Sequence, residues 1–134
     1  MSKIEWDDSF SVNNIEIDDQ HKRWIEIFNE MHESLITGNN TTRQTSEILK
    51  AMHEYTLKHF SFEEEYMRII GYPHAIEHHR LHKDFDNRIF AYNKDIQEGK
   101  IVLSTYIIKL IKNWLLDHIL IEDKKYAAYA ENKT

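Results

Sequence analysis

Breakers of regular structure are scarce in this 134-residue chain: three glycines, Gly38, Gly71 and Gly99, and one proline, Pro73. A β-rich fold needs a turn every 8–12 residues or so and places glycine and proline in them. So few favour helices over a turn-rich β fold in the long stretches between them. Each glycine follows a long segment of helical period, where a residue able to adopt the left-handed conformation ends a helix. Pro73 stands where a first-turn proline starts the next one.

Four segments result. The first runs from about Asp18, a plausible N-cap, to Thr37, with His21, Trp24, Ile25, Phe28, Met31, His32 and Leu35 near one face. The second runs from about Thr42 to Ile70 and opens with Thr41-x-x-Gln44, the spacing of a capping box. Its seam reads Ile48, Met52, Tyr55, His59, Phe62, Tyr66. The third, from Pro73 to Glu98, places His78, His82, Phe85, Ile89, Tyr92 and Ile96 in line. The last, from about Ser104 to Tyr129, points Ile107, Ile111, Trp114, His118 and Ile121 inward. Short loops between four helices make antiparallel neighbours, so the expected fold is all-α, an up-down-up-down four-helix bundle. Residues 1–17 form an irregular N-terminal arm anchored by Trp6 and Phe10, the bundle occupies 18–129, and one domain spans 1–134.

Composition narrows the function classes. With 41% hydrophobic and 30% charged residues, the chain suits a soluble globular protein. A formal charge of −6 with scattered basic residues argues against nucleic acid as a partner. The most apolar stretch, "YIIKLIKNWLLDHILI", is broken by charged and polar residues, so no membrane span is expected. "MSKIEWDDSF" carries charge where a signal peptide needs an apolar core, and the absence of cysteine suits a cytoplasmic location. Absence of cysteine also excludes disulfides, zinc fingers and iron–sulfur clusters.

Nine histidines are roughly three times the ~2% of ordinary usage. Histidine recurs on all four seams, where a plain core would take leucine. His59 with Glu63, and His78 with His82, are four apart and share a helix face. In an up-down-up-down bundle the starts of helices one and three lie beside the finishes of two and four. His21, His59, Glu63, His78, His82, His118 and Asp123 therefore converge at one end of one core. Five imidazoles and two carboxylates exceed what one ion takes. They suit two octahedral ions bridged by the carboxylates with one position open, and they point to iron ahead of manganese or zinc.

Any one of these residues, taken alone, reads more simply as a surface or core side chain, and Glu63 lies in an ordinary charge run, "EEE". The convergence outweighs those readings. His32 and His53 fall away from the metal end. Counted from the "GYP" turn at 1.5 Å per residue, Glu63 and His59 lie ~12 and ~18 Å deep, and His78 and His82 ~7.5 and ~13.5 Å. His74, at ~1.5 Å, is too shallow, and His79 is turned off the seam. Asp123 follows His118 by five residues, which rotates it roughly 140° on an ideal helix. To share a centre with His118, it requires a local widening of the helix of π type near 118–123.

The pieces "IDDQHKR" at 17–23, "HFSFEE" at 59–64, "HHRLHKDF" at 78–85 and "WLLDHILIEDKKY" at 114–126 resemble the hemerythrin family, in its single-domain bacterial form. The resemblance spans essentially the whole chain. It implies a non-haem di-iron centre that binds dioxygen reversibly, for transport, storage or scavenging, rather than an enzyme. One iron would take His78, His82 and His118, the other His21 and His59. Glu63 and Asp123 would bridge them together with an oxo or hydroxo group. Dioxygen would be held as hydroperoxide on the iron bound by His21 and His59. The implied dioxygen pocket is Trp24, Phe60, Trp114, Leu115 and Ile119. Trp24 replaces the leucine usual in the family three residues after the first ligand, so a narrower or differently gated pocket is expected.

Nitric oxide and peroxide are further candidate ligands, and a monomer is expected. Oxidase, peroxidase or nitric-oxide reductase chemistry, oxygen sensing through a separate partner, and iron buffering remain open beside oxygen binding. Di-iron oxidases of the ferritin-like class carry Glu-x-x-His pairs, and this chain has none.

Overall fold

The computed structural model describes residues 3–38 and 41–133. Its helices are α1 (Ile15–Thr37), α2 (Thr42–Ile70), α3 (Ala75–Gln97), α4 (Thr105–Asp117) and α5 (Lys124–Lys133), with a π-helical turn, His118–Asp123, joining the last two into one rod. A short 3-10 helix, Asp8–Phe10, interrupts the arm. No strand occurs among the described residues. Side-chain pairs fix the antiparallel register of α2 against α3: Glu63 meets His78 and His82, His53 meets Asp86, and Ser46 meets Asn93. As one helix number falls the other rises, as the short "GYP" turn requires. No helix of the described residues is long and apolar enough to cross a membrane.

Local chemistry sets the helix ends. Thr41 and Gln44 exchange both bonds of the capping box at the start of α2. Gly38 and Gly71 close α1 and α2 at φ of +66° and +71°, a conformation that a Cβ would disfavour. Two expected starts are displaced. α1 begins earlier, at Asn14, whose side chain accepts from the Ile17 N–H. Asp18, the expected cap, instead accepts from Ser11 Oγ at 2.6 Å and from Val12 N at 2.9 Å. Pro73 lies in the turn before α3, where His74 takes the N-cap position without a side-chain capping bond.

Two residues placed inward by period face out: Phe62 is 36% exposed and Ile121 53%. Glu63, four residues after His59, takes the interior position instead of Phe62. Ile121 is turned out within the π turn, whose wider winding moves every position after His118.

The arm runs beside α1 and then crosses the metal-facing end of the bundle. Asn29 pairs with both the N–H and C=O of Ile4 at 2.8 Å, and Trp6 stacks on Phe10. Lys124 Nζ donates to Ser11 O at 2.6 Å, which holds the arm where Val12 is buried. The interior has two apolar clusters. The larger contains Trp24, Phe28, Met31, Leu49, Met52, Phe85, Ile89, Ile108 and Ile111. The smaller contains Val12, Ile17, Met67, Tyr72, Tyr126 and Ala127. Buried polar residues cluster where one apolar group gives way to the other: His21 between Ile17 and Trp24, His59 and Glu63 between Met52 and Met67, His78 and His82 between Tyr72 and Phe85, and His118 and Asp123 between Leu115 and Tyr126.

Candidate metal centre

Seven polar side chains occupy that gap: His21 from α1, His59 and Glu63 from α2, His78 and His82 from α3, and His118 and Asp123 from the π turn. All seven are at most 3% exposed. On α2 and α3 the four-residue spacing is enough to align each pair. On the last rod it is not, and the π turn supplies the missing rotation, because five residues make little more than one turn of so wide a helix.

The carboxylates divide the imidazoles into two sets. Glu63 Oε1 lies 2.9 Å from His78 Nε2 and 2.9 Å from His82 Nε2, and 3.5 Å from His118 Nε2. Its other oxygen, Oε2, lies 3.2 Å from His59 Nε2 and 3.5 Å from His21 Nε2. Asp123 repeats the pattern, with Oδ1 3.0 Å from His78 and 3.1 Å from His118, and Oδ2 3.0 Å from His21. Each carboxylate therefore presents one oxygen to a three-histidine half and the other to a two-histidine half. Two groups could each hold a metal ion, Glu63–His78–His82–His118–Asp123 and His21–His59–Glu63–Asp123, and they share both acids.

The contacts fit cations better than hydrogen bonds. His118 Nε2 lies 3.2 Å from His78 Nε2 and 3.0 Å from His82 Nε2, three nitrogens crowded around one point. For metal–nitrogen bonds of about 2.1 Å, neighbouring ligands of an octahedron sit about 3.0 Å apart. Both oxygens of Asp123, and Nε2 of His21 and of His59, are buried without a hydrogen bond even though ion-pair distances of 3.0–3.5 Å surround them. Six buried polar atoms left in this way is a cost of several kcal/mol in an apolar interior. Two cations shared between the carboxylates would satisfy the four that point inward.

Protonation shows how strongly the metal-free centre attracts positive charge. Burial is the largest effect on His21 and favours the neutral ring, but Asp123 and Glu63 outweigh it and push the pKa up to about 9. His118 is pushed up to about 10 by the same contest between burial and the two carboxylates. His78 is also raised, burial being overcome by Asp123 and Glu63. His59 is held down by burial, which Glu63 opposes without overcoming. Burial alone would raise Glu63, yet His59, His118 and His21 hold its carboxyl well below the usual range. Asp123 is lowered too: burial and the charge of Glu63 oppose its ionisation, and His118 and His21 prevail. Metal binding at such a centre must displace protons.

Three residues that support the centre carry no metal-ligand signature in the sequence. Gln20 Oε1 lies 2.8 Å from His59 Nδ1. Glu64 Oε2 lies 2.8 Å from His82 Nδ1, and its Oε1 lies 2.7 Å from His79 Nδ1. Tyr126 donates to Glu63 Oε2 at 3.0 Å from within the smaller apolar cluster. Burial first, then the negative charges of Glu63 and Asp123, push its phenol well above the ordinary value. Gln20 and Glu64 each adjoin a candidate ligand in sequence, and Tyr126 follows Asp123 by three residues. Period could have flagged the tyrosine, whereas the other two need the neighbouring helix in view.

The leftover histidines lie apart from the centre. His32 stacks on Phe28, His53 pairs with Asp86, and His74 and His79 are exposed. Of the five expected pocket residues, Trp24, Phe60 and Trp114 lie against ligand rings. Phe60 stacks on His82 at 3.7 Å and Trp114 on His118 at 4.5 Å, while Leu115 and Ile119 are fully buried in the larger cluster. Trp24 lies against His59 at 5.1 Å and meets Phe60, Phe85 and Trp114 edge-on. Its indole N–H donates to Thr56 Oγ1 at 3.0 Å, which fixes the ring in place.

A metal-binding bundle of this form belongs to a known class. The family model of the hemerythrin HHE cation-binding domain matches residues 14–130. A bacteriohemerythrin of Stenotrophomonas maltophilia is 32% identical over 127 residues, covering 95% of this chain and 81% of that one. One from Clostridium acetobutylicum is 28% identical over 124 residues, covering 90% and 96%. Wild-type hemerythrin in the crystal is 26% identical with a TM-score of 0.87, covering 95% of this chain and 97% of its own. The chain belongs to the hemerythrin family.

Proposed function

We propose that this protein binds dioxygen reversibly at a non-haem di-iron centre. The observation that carries the reading is the division of the two carboxylates: Glu63 has one oxygen near His78, His82 and His118 and the other near His59 and His21, and Asp123 has one near His78 and His118 and the other near His21. His78, His82 and His118 would hold one iron and His21 and His59 the other, with both carboxylates common. Five imidazoles against two acids favour iron over magnesium or calcium, which take oxygen ligands. When bound, iron supplies the electrons for dioxygen binding. The half with one histidine fewer leaves a position for that ligand.

The remaining work falls to the chain itself. Trp24, Phe60, Trp114, Leu115 and Ile119 keep water from the ligands, since each is buried or packed on a ligand ring. Tyr126 fixes the rotamer of Glu63. Gln20 and Glu64 accept from the outer nitrogens of His59 and His82 and so direct the inner nitrogens at the metals. The lack of any Glu-x-x-His pair favours binding over substrate oxidation. The test is anaerobic loading with ferrous iron, exposure to air, then deoxygenation, followed by visible absorption. A ligand-to-iron charge-transfer band that appears and then reverses supports the proposal. Irreversible conversion to a ferric spectrum overturns it in favour of an oxidase or sensor.

A further inference from the structure

The two halves of the centre differ in the charge behind them. His59 Nδ1 faces Gln20 Oε1, an uncharged amide oxygen, at 2.8 Å. His82 Nδ1 faces Glu64 Oε2, a carboxylate oxygen, at the same 2.8 Å. The outer nitrogens of His21 and His118 are buried with no partner. Glu64 is only partly exposed, at 32%, and is held in place by His79 on its second oxygen. Its two carboxylate oxygens are divided between the two rings, Oε2 on His82 Nδ1 and Oε1 on His79 Nδ1. It lies outside both metal-ligand groups.

We propose that Glu64 is a positioning residue that makes the two metal sites unequal. Through His82 it strengthens the His78/His82/His118 half, so that this half takes the first ion and releases it last. The proposal rests on the two-metal reading above. An imidazole N–H that donates to an anion has a more basic opposite nitrogen than one that donates to an amide, and such outer partners shift metal affinity by ~10–100-fold. Gln20 shows that an amide can fill the same geometric role, so the difference that remains is charge. His82 is also clamped from the side by Phe60, stacked at 3.7 Å with an interplanar angle of 3°, which leaves the ring one orientation in which to use that basicity.

The experiment is an anaerobic titration of metal-free protein with cobalt(II), which reports occupancy by absorption without oxygen chemistry. Wild type should bind two equivalents in distinguishable steps. Glu64→Gln keeps an acceptor oxygen and removes the charge, and it should weaken the first step ~10-fold while leaving the second nearly unchanged. The location is read in backgrounds that disable one half. Glu64→Gln should weaken binding in His59→Ala and have no effect in His118→Ala. Gln20→Glu should tighten the second step, which checks the idea by a gain. Wild type that binds two ions with no change on Glu64→Gln, or with equal losses in both backgrounds, overturns the inference and leaves the two-metal reading intact. Wild type that binds fewer than two overturns that reading and this inference with it.

Discussion

The His78/His82/His118 half and the His21/His59 half share two carboxylates and differ in nearly everything else around them. The first has its imidazoles braced by flat stacking, Phe60 on His82 and Trp114 on His118, and by a charged outer partner, Glu64. The second is backed by a neutral amide and the tilted indole of Trp24. On the proposed reading, one half has three imidazoles on a rigid support, and the other has two and faces an apolar wall. An oxygen-binding centre needs both: a metal that stays in place, and a metal with room for an incoming molecule in a water-poor space.

Substitutions can separate the halves. Glu63→Ala should have the largest effect, because it removes a ligand from both at once and leaves Tyr126 without its acceptor. We expect loss of paired binding, with affinity down by more than the ~100-fold seen for outer partners, measured by iron content after desalting. His59→Ala affects one half only and should leave one ion per chain. Two retained ions would contradict the assignment.

Trp24→Leu acts on the wall rather than on the ligands. It should speed dioxygen association, measured by stopped flow, and lower stability by about 2–3 kcal/mol for the buried volume lost. Equal association rates would show that Trp24 does not gate access.

The smallest effect expected is on the pH dependence of the metal-free protein. His21 and His118 have pKa values raised to about 9 and about 10 from 6.5. Their stabilising contribution is complete below pH 6.5 and is lost as pH rises through those values. Glu63 behaves oppositely: its contribution is present above its ordinary 4.5 and disappears in acid. Thermal melts of the metal-free protein should therefore peak near about pH 5–6 and decline toward pH 10. A flat profile from pH 6 to 10 would contradict the protonated centre described above.

Much of this arrangement is legible in the chain, because the bundle is specified locally. Three glycines end three helices, Thr41 and Gln44 cap one, and the five-residue step from His118 to Asp123 requires the π turn that is present. What was not legible depends on partners distant in sequence. Asp18 has the chemistry of a cap, but the arm claims its carboxylate, and Asn14 caps α1 instead. Phe62 fits an apolar seam by spacing, yet the interior position goes to Glu63, since buried carboxylates are tolerable there only with the histidines and their charge. Ile121 fits an α-helical seam that the π turn removes. Glu64 looks like one more acid in "EEE" until α3 brings His79 and His82 beside it.

The central claim is that seven side chains hold two irons that share Glu63 and Asp123. Anomalous diffraction at the iron edge, on crystals of anaerobically loaded protein, tests it most directly. The account predicts two iron peaks about 3.5–4 Å apart, one among His78, His82 and His118 and one between His21 and His59, with a carboxylate oxygen of each acid on either side. A single peak, or a second peak away from Glu63 and Asp123, would contradict it.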